Sequence, residues 1–226
     1  MRLKFITLLL TLFCLTISAA ELNSKGRDPK YVENIVGRSK KIVETLEIKN
    51  KTALNNVTNI VANRYFELND IYERRDSLVK AAKADPRLSF DARNAAITHA
   101  QNEKDAAIYR TYFGFLSALS LHCTDKQVEA IKDGMTFGVL MVTYNSTLDM
   151  IPSLKDEEKR QIMAWLVEAR EYAVNAESSH KKHEAFGKYK GRINNYLSAR
   201  GYNLVKEREA CYKRIKEREA AAPKAN

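Results

Sequence analysis

The chain has 226 residues, 45% of them hydrophobic, and a formal net charge of +10 at pH 7. A chain of this size and composition buries a core of its own, which excludes a disordered protein, and it is short enough to form one domain. The excess of positive charge favours acidic partners through long-range attraction.

The first twenty residues have the pattern of an export signal. Two basic residues precede the apolar run Phe5–Ile17, and the small residues Ser18 and Ala20 have the spacing that a signal peptidase recognises. The run is shorter than the roughly 20 residues that a transmembrane helix needs. We therefore predict a signal peptide at 1–20, no transmembrane anchor, and a periplasmic or secreted protein that begins at Glu21.

Export narrows the choice of partners. Loss of Arg2 and Lys4 with the signal lowers the net charge from +10 to +8, and an exported protein is a poor candidate for binding nucleic acid. An acidic glycan or an anionic membrane face remains as a partner, as does the possibility that the charge only keeps the protein soluble.

The exported chain keeps two cysteines, Cys123 and Cys211. In an oxidising compartment they either form a disulfide or remain as one buried thiol and one thiol on a charged tail. The spacing of cysteines and histidines does not match a zinc site, and the common phosphate-loop, dinucleotide and metalloprotease motifs do not occur, so we predict neither a metal nor a cofactor.

Helical spacing of apolar residues dominates the rest of the chain, and prolines fall between the periodic segments. The predicted helices, in chain order, are 30–47, a long one from Asn50 or Thr52 to Ala84, one from Ser89 to Leu119, a short one from Thr124 to Gly134, one at 143–150, one from Ser153 to Ala173, one within Phe186–Gly201, and a terminal one from Asn203 to Glu219.

The predicted fold is all-α, because no segment sustains an alternation of period two. We predict a single domain at 21–219 of six to eight antiparallel helices, followed by a disordered tail at 220–226. The run Gly134–Val142 contains two glycines and several β-branched residues. It is predicted to be irregular or extended, and apolar enough to be buried.

The segment Phe186–Asn203 is the most unusual part of the sequence. As a helix it places Tyr189, Ile193, Tyr196 and Arg200 on one face, which we interpret as core, and places Lys188, Arg192 and Asn195 on another. Glycines and asparagines cost about 0.7 to 1 kcal/mol each in a helix interior. Either they serve a ligand, or the glycines admit a crossing helix and the asparagines cap neighbouring backbone. The predicted ligand-binding residues are Lys188, Tyr189, Lys190, Arg192, Asn194, Asn195 and Trp165.

A catalytic alternative uses carboxylates near the only tryptophan. Trp165 shares a predicted helix with Glu168 and Glu171, and glycosidases need two carboxyl groups held across a bond. Glu168, Glu171 and His183 are the acid–base candidates. The competing interpretation is that Trp165 packs in the core and the carboxylates lie on the helix surface.

Four stretches resemble a known family of exported proteins. They are KDGMTFGV at Lys132–Val139, VTYNSTLDMIPSL at Val142–Leu154, AWLVEAREYAVNAESSHKKH at Ala164–His183 and FGKYKGRINNYLSARGY at Phe186–Tyr202. The family is a domain of unknown function from glycan-degrading Gram-negative bacteria. The resemblance implies a periplasmic or surface protein encoded near genes for polysaccharide utilisation, pectins in particular. It implies no catalytic residue.

Three functions follow as hypotheses. The preferred one is a periplasmic protein, accessory to polysaccharide utilisation, that binds an acidic oligosaccharide or a glycan-processing partner protein. The second is a glycan-active enzyme, a hydrolase or lyase, that uses a carboxylate/His pair. The third is a structural or chaperone-like helical module, which an exposed apolar groove would favour.

Overall fold

The structure is a computed structural model and describes residues 19–221. Within that range the chain forms eight α-helices, one 3₁₀ turn and no β-strand. The helices are α1 (Pro29–Val43), α2 (Lys51–Ala84), α3 (Phe90–Ser120), α4 (Asp125–Met135), α5 (Val139–Met150), α6 (Asp156–Ala173), α7 (Ser179–Ala199) and α8 (Leu204–Ala221), with the 3₁₀ turn at Glu44–Leu46. The predicted single all-α domain is confirmed.

Two predicted segments fall at the ends of the chain. Residues 1–18 of the predicted signal peptide and residues 222–226 of the predicted tail lie outside the described residues. Helix α8 continues to Ala221, two residues beyond the predicted end. No helix between residues 19 and 221 is long and apolar enough to cross a bilayer.

Local sequence sets the helix ends much as predicted. The Asp28 carboxylate accepts a hydrogen bond from the Tyr31 N–H at 2.8 Å, with Pro29 in the first turn. The side chains of Asn50, Ser89 and Thr124 cap α2, α3 and α4 in the same way. At the end of α7, Gly201 adopts a φ of 92°, which a residue without a Cβ tolerates.

The prediction for Gly134–Val142 was wrong in extent. Only the turn between α4 and α5 is irregular, and Val139–Val142 are helical. Phe137 and Gly138 have φ values of 61° and 66°, which end α4 and redirect the chain. The segment is also only partly buried, because Val142 is 65% exposed whereas Leu140 is 3% exposed. Packing of Leu140 into the core outweighs the weak helix propensity of the run.

Apolar side chains form two main cores. The N-terminal core lies among α1–α4 and the C-terminal core among α5–α7. The buried residues of the N-terminal core are Val43, Leu46, Val57, Ile60, Val61, Phe115, Leu119, Ile131, Met135 and Val174. Those of the C-terminal core are Val139, Leu140, Ile151, Leu154, Ile162, Leu166, Ala169, Ala173, Phe186, Ile193 and Leu197.

The cysteines belong to different parts of this arrangement. Cys123 packs against the N-terminal core, and Cys211 is buried on α8, which lies beside α5. Both are free thiols. The structure therefore agrees with the interpretation in which the two cysteines do not form a disulfide.

Polar side chains join the two halves. The Arg64 guanidinium of α2 is 2% exposed and donates to Thr111 of α3 and to Asn175, which follows α6, both at 2.7 Å. The Tyr72 hydroxyl donates to the Asn175 carbonyl at 2.9 Å. Buried polar groups of this kind are costly unless they are paired, so these contacts fix how α2 faces the α6–α7 connection.

Candidate functional site

The predicted ligand-binding residues of α7 lie mostly on an open surface. Lys188, Lys190, Arg192, Asn194 and Asn195 are all exposed. A Cβ at Gly187 or Gly191 would meet no atom within 4 Å. The interpretation that these glycines admit a crossing helix is therefore wrong. Tyr189, Ile193 and Tyr196 do face the C-terminal core, as predicted.

Trp165 and its neighbours form a cluster between α6 and α7. The Trp165 ring meets the Tyr196 ring edge-on at 5.1 Å between centroids, and the Arg192 guanidinium lies 4.6 Å from the Trp165 ring. Arg192 also pairs with the Glu168 carboxylate at 3.5 Å. Burial and the adjacent Glu168 raise the pKa of Tyr189 to about 12. The chain's own cation thus covers Trp165, leaving less of the ring to stack on a sugar.

The other two acid–base candidates have different partners. Glu171 accepts hydrogen bonds from Tyr112 at 2.5 Å and from Lys132 at 2.8 Å. Burial acts to raise the pKa of Glu171, but these hydrogen bonds hold it below its ordinary value. His183 is exposed and stacks on Phe137. The structure brings Glu168 together with Trp165 and Arg192, and places Glu171 in a separate ionic network.

A buried lysine at the start of α7 marks a different site. The Ser178 hydroxyl accepts from the Lys181 N–H at 3.2 Å and so starts α7. One residue later, Lys182 is 5% exposed. Its Nζ donates to the Met135 carbonyl at 3.0 Å and to the Val174 carbonyl at 3.3 Å. These carbonyls end α4 and α6, where helix dipoles place negative partial charge.

Lys182 has no acidic partner within residues 19–221, since its hydrogen bonds go to carbonyls and the nearby charges are cations. Burial lowers the pKa of Lys182 to about 8, and repulsion from Arg38 and Arg64 acts in the same direction. A lysine in such surroundings is uncharged for part of the time near neutral pH, whereas an exposed lysine is almost always charged.

Lys182 lies at a cleft of about 500 Å³ between α1, α2 and the α6–α7 connection. The Lys182 Nζ lies 5.6 Å from the centroid of the Tyr65 ring, and the Arg38 Cζ lies 5.7 Å from it. Burial raises the pKa of Tyr65 to about 12 although Arg38 opposes this. The cleft therefore has a basic end at which a phenol stays protonated.

The rest of the cleft is polar and aromatic. Tyr31, Asn34, Asn69, Tyr72 and Glu73 contribute to its lining. Burial and the Glu177 carboxylate raise the pKa of Tyr72 to about 12.

Three acidic residues also line the cleft, Glu73, Asp76 and Glu177, and none of them pairs with Lys182 or Arg38. Arg75 pairs with Asp76 at 2.6 Å and with Glu177 at 2.5 Å, so part of the negative charge is already neutralised. Amides, carboxylates and tyrosines are groups that bind hydroxyls, and one end has an exposed arginine, Arg38, that can bind an acid.

Comparison with known families assigns the chain. A family model described as "Protein of unknown function (DUF3826)" matches residues 32–217. The chain belongs to the DUF3826 family. No curated protein gave a significant match to the sequence. The family assignment confirms the resemblance to a domain of unknown function, and its description says nothing of glycans.

The cleft residues of this DUF3826 protein were not among the predicted site residues. A signal for Lys182 was present, because it lies four residues before Phe186 on the same helical stripe as Ile193 and Leu197, all of which are buried. A lysine at a core position of an amphipathic helix indicates a buried amine that needs polar partners. Arg38 and Tyr65 carry no comparable signal, since only the packing of α1 on α2 brings them beside Lys182.

Proposed function

We propose that this DUF3826 protein is an exported protein that binds acidic oligosaccharides, and that the cleft at Lys182 is where it does so. One observation carries the proposal. A buried lysine without an acidic partner lies beside an exposed arginine, Arg38, at one end of a polar cleft.

The basic end of the cleft favours a carboxylate. Arg38 forms no ion pair with any described residue, so its guanidinium is free to bind a carboxylate through two parallel hydrogen bonds. At mildly acidic pH, where Lys182 is charged, a carboxylate there would also supply the negative charge that Lys182 lacks. The net charge of +8 expected after loss of the signal would attract a polyanion from a distance.

The remainder of the cleft favours a sugar over a smaller acid. Tyrosines line the cleft, and the Asn34 and Asn69 amides offer donors and acceptors for hydroxyls. A volume of about 500 Å³ lies within the range of known ligand sites, roughly 300 to 1,000 Å³. Export, which the N-terminal pattern predicts, would place the protein where glycan fragments occur.

The test is calorimetric titration with oligogalacturonate and with a neutral oligosaccharide of equal length, at mildly acidic pH. We expect only the acidic ligand to bind, with an affinity that falls as salt is added. Arg38→Gln should weaken binding by about tenfold or more, which is the loss of roughly one charged hydrogen-bonded contact. The matched control is Lys41→Gln, which removes one exposed positive charge from the same helix outside the cleft.

Other results would contradict the proposal in specific ways. A loss of binding with Lys188→Gln or Arg192→Gln but not with Arg38→Gln would move the ligand to the exposed face of α7. Absence of binding even at low salt would exclude an acidic oligosaccharide ligand and would favour a structural or partner-binding role.

A further inference from the structure

We propose that the cleft is also catalytic, with Lys182 as the base and Tyr65 as the acid of a β-elimination that cleaves uronate-containing chains. The inference rests on the proposed function, because it names the reaction that a bound uronate would undergo in the same cleft. It uses neither Glu168 nor Glu171.

The hydrogen bonds of Lys182 match an uncharged amine. A neutral amine has two N–H donors and one lone pair, and the two donors have two acceptors, the carbonyls of Met135 and Val174. With both N–H groups held by backbone, the lone pair is left for a proton of the ligand. The ammonium form has a third N–H, for which no acceptor occurs among residues 19–221.

Burial and the nearby arginines all lower the pKa of Lys182 and so favour its uncharged form. The pKa of about 8 reflects burial first and then repulsion from Arg38 on α1 and Arg64 on α2. Tyr65 and Tyr72 of α2 stay protonated in the same range, since their pKa values are about 12. The acidic groups that share the cleft are Glu73, Asp76 and Glu177.

Arg38 and Tyr65 supply the other two functions that an elimination needs. Arg38 would bind the carboxylate and so stabilise the negative charge that develops when the adjacent carbon loses its proton. Tyr65 lies near both basic groups, since the Arg38 Cζ is 5.7 Å and the Lys182 Nζ is 5.6 Å from its ring centroid. A phenol that remains protonated at neutral pH has a proton to give to a leaving oxygen.

The step balances without any added reagent. The Lys182 amine takes the proton from the carbon next to the carboxylate. The electrons of that C–H bond form a double bond to the neighbouring carbon, and the bond from this carbon to the glycosidic oxygen breaks. The oxygen leaves with the electron pair and takes the Tyr65 proton. Proton exchange with water then restores the amine and the phenol.

The experiment incubates the exported protein with oligogalacturonate and oligoglucuronate. Products are followed by the ultraviolet absorbance of the unsaturated carboxylate and by mass spectrometry. We expect two fragments whose masses sum to that of the substrate, because elimination adds no water. The rate should rise with pH through about 8, as the Lys182 ammonium loses its proton.

Variants separate catalysis from folding. Lys182→Met and Tyr65→Phe should each lower the rate by about 100-fold or more, whereas Lys181→Met, one residue away on the surface, should not change it. Since Lys182→Met leaves two carbonyls without a donor, its fold is checked by circular dichroism. Tyr65→Phe removes only a hydroxyl, and the pH profile of the unsubstituted protein needs no variant.

The outcomes distinguish this inference from the proposed function. Binding of the acidic oligosaccharides without any unsaturated product would overturn catalysis and leave the binding role intact. Fragments that together exceed the substrate by one water would indicate hydrolysis, and would return attention to Glu168, Glu171 and His183. Absence of binding would overturn both.

Discussion

At the scale of single residues, titration of Lys182 should make the stability of the fold depend on pH. Its pKa is lowered to about 8 in the folded protein, against about 10.4 in an unfolded chain. Between these values the unfolded chain binds more protons, so the free energy of unfolding should rise with pH, by about 3 kcal/mol for the full shift. Denaturant unfolding between about pH 8 and pH 10 measures this rise.

The comparison with Lys182→Met isolates the contribution. The variant should lack the rise between about pH 8 and pH 10, because it has no amine to titrate. Above about pH 10 the raised pKa values of Tyr65 and Tyr72 should make the free energy of unfolding fall as pH rises. The reason is that the tyrosines of the unfolded chain lose their protons first. Equal slopes for the two proteins would contradict a lowered pKa for Lys182.

Glu171 is a second residue whose charge supports the fold. Its carboxylate accepts from Tyr112 and Lys132, and Lys132 is 7% exposed. Glu171→Gln should lower the free energy of unfolding at neutral pH by about 2 kcal/mol, because the buried Lys132 and the half-buried Tyr112 lose a charged acceptor. Glu168→Gln is the control, expected to cost under about 0.5 kcal/mol since Glu168 makes an exposed pair at 3.5 Å.

The effect of Glu171→Gln should depend on pH in a defined direction. The folded pKa of Glu171 lies below its ordinary value, so its contribution is present above about pH 4.3 and is lost as pH falls through the folded pKa. The difference in stability between the two proteins should therefore shrink in acid. A difference that does not change with pH would mean that packing, and not charge, explains the loss.

At the scale of elements, one face of α2 holds the segment that precedes α1 through three asparagines, Asn56, Asn59 and Asn63. Asn59 donates to the Ala20 carbonyl at 2.8 Å. Asn63 donates to the Glu21 carbonyl at 2.7 Å and accepts from the Asn23 N–H at 2.8 Å. If the signal is removed after Ala20, as the sequence predicts, the contacts of Asn63 remain, together with the Arg27–Asp70 ion pair at 2.6 Å.

Asn63→Ala should release this segment. Loss of two backbone hydrogen bonds should lower the free energy of unfolding by about 1 to 2 kcal/mol and increase hydrogen exchange at residues 21–27. Asn94→Ala, an exposed asparagine on α3 outside these contacts, is the matched control. Unchanged exchange in Asn63→Ala would show that the Arg27–Asp70 pair and apolar contacts hold the segment without Asn63.

Helix ends were predictable from sequence, whereas the surfaces that meet were not. Asp28, Ser89 and Thr124 cap helices because their side chains reach amides three residues away, which is a local relation. The turn at Phe137 lies within the run predicted to be irregular, but the start of α5 at Val139 was missed because burial of Leu140 favours the helix there. Lys182 reaches carbonyls at the ends of two other helices, and spacing along α7 contains no information about them.

At the scale of the whole molecule, the candidate cleft depends on how the halves are joined. Arg64 contacts Asn175, which is 111 residues away in the sequence, and Lys182 contacts Met135, which is 47 residues away. Sequence periodicity predicts which face of a helix is buried but not its partner at such separations. The candidate site on α7 was therefore chosen from composition, and the cleft became visible only when α1, α2 and α7 were assembled.

Arg64 should be the residue on which this assembly depends most. Its guanidinium pairs with Glu67 at 2.6 Å and bonds Thr111 and Asn175. Arg64→Leu should lower the free energy of unfolding by about 3 kcal/mol, because partly buried polar groups of three elements lose their common, buried donor. Hydrogen exchange should rise first at residues 174–182, the α6–α7 connection that carries Lys182.

Arg74→Leu is the control on the same helix. Arg74 makes an exposed pair with Glu103 at 2.8 Å, and its loss should cost under about 0.5 kcal/mol. If Arg64→Leu were as stable as Arg74→Leu, the polar junction would contribute little and the two cores would hold each other by apolar contact. If exchange rises at 174–182 while α2 and α3 stay protected, the junction opens locally, and ligand binding at Lys182 should weaken with it because α7 no longer holds the lysine against Tyr65.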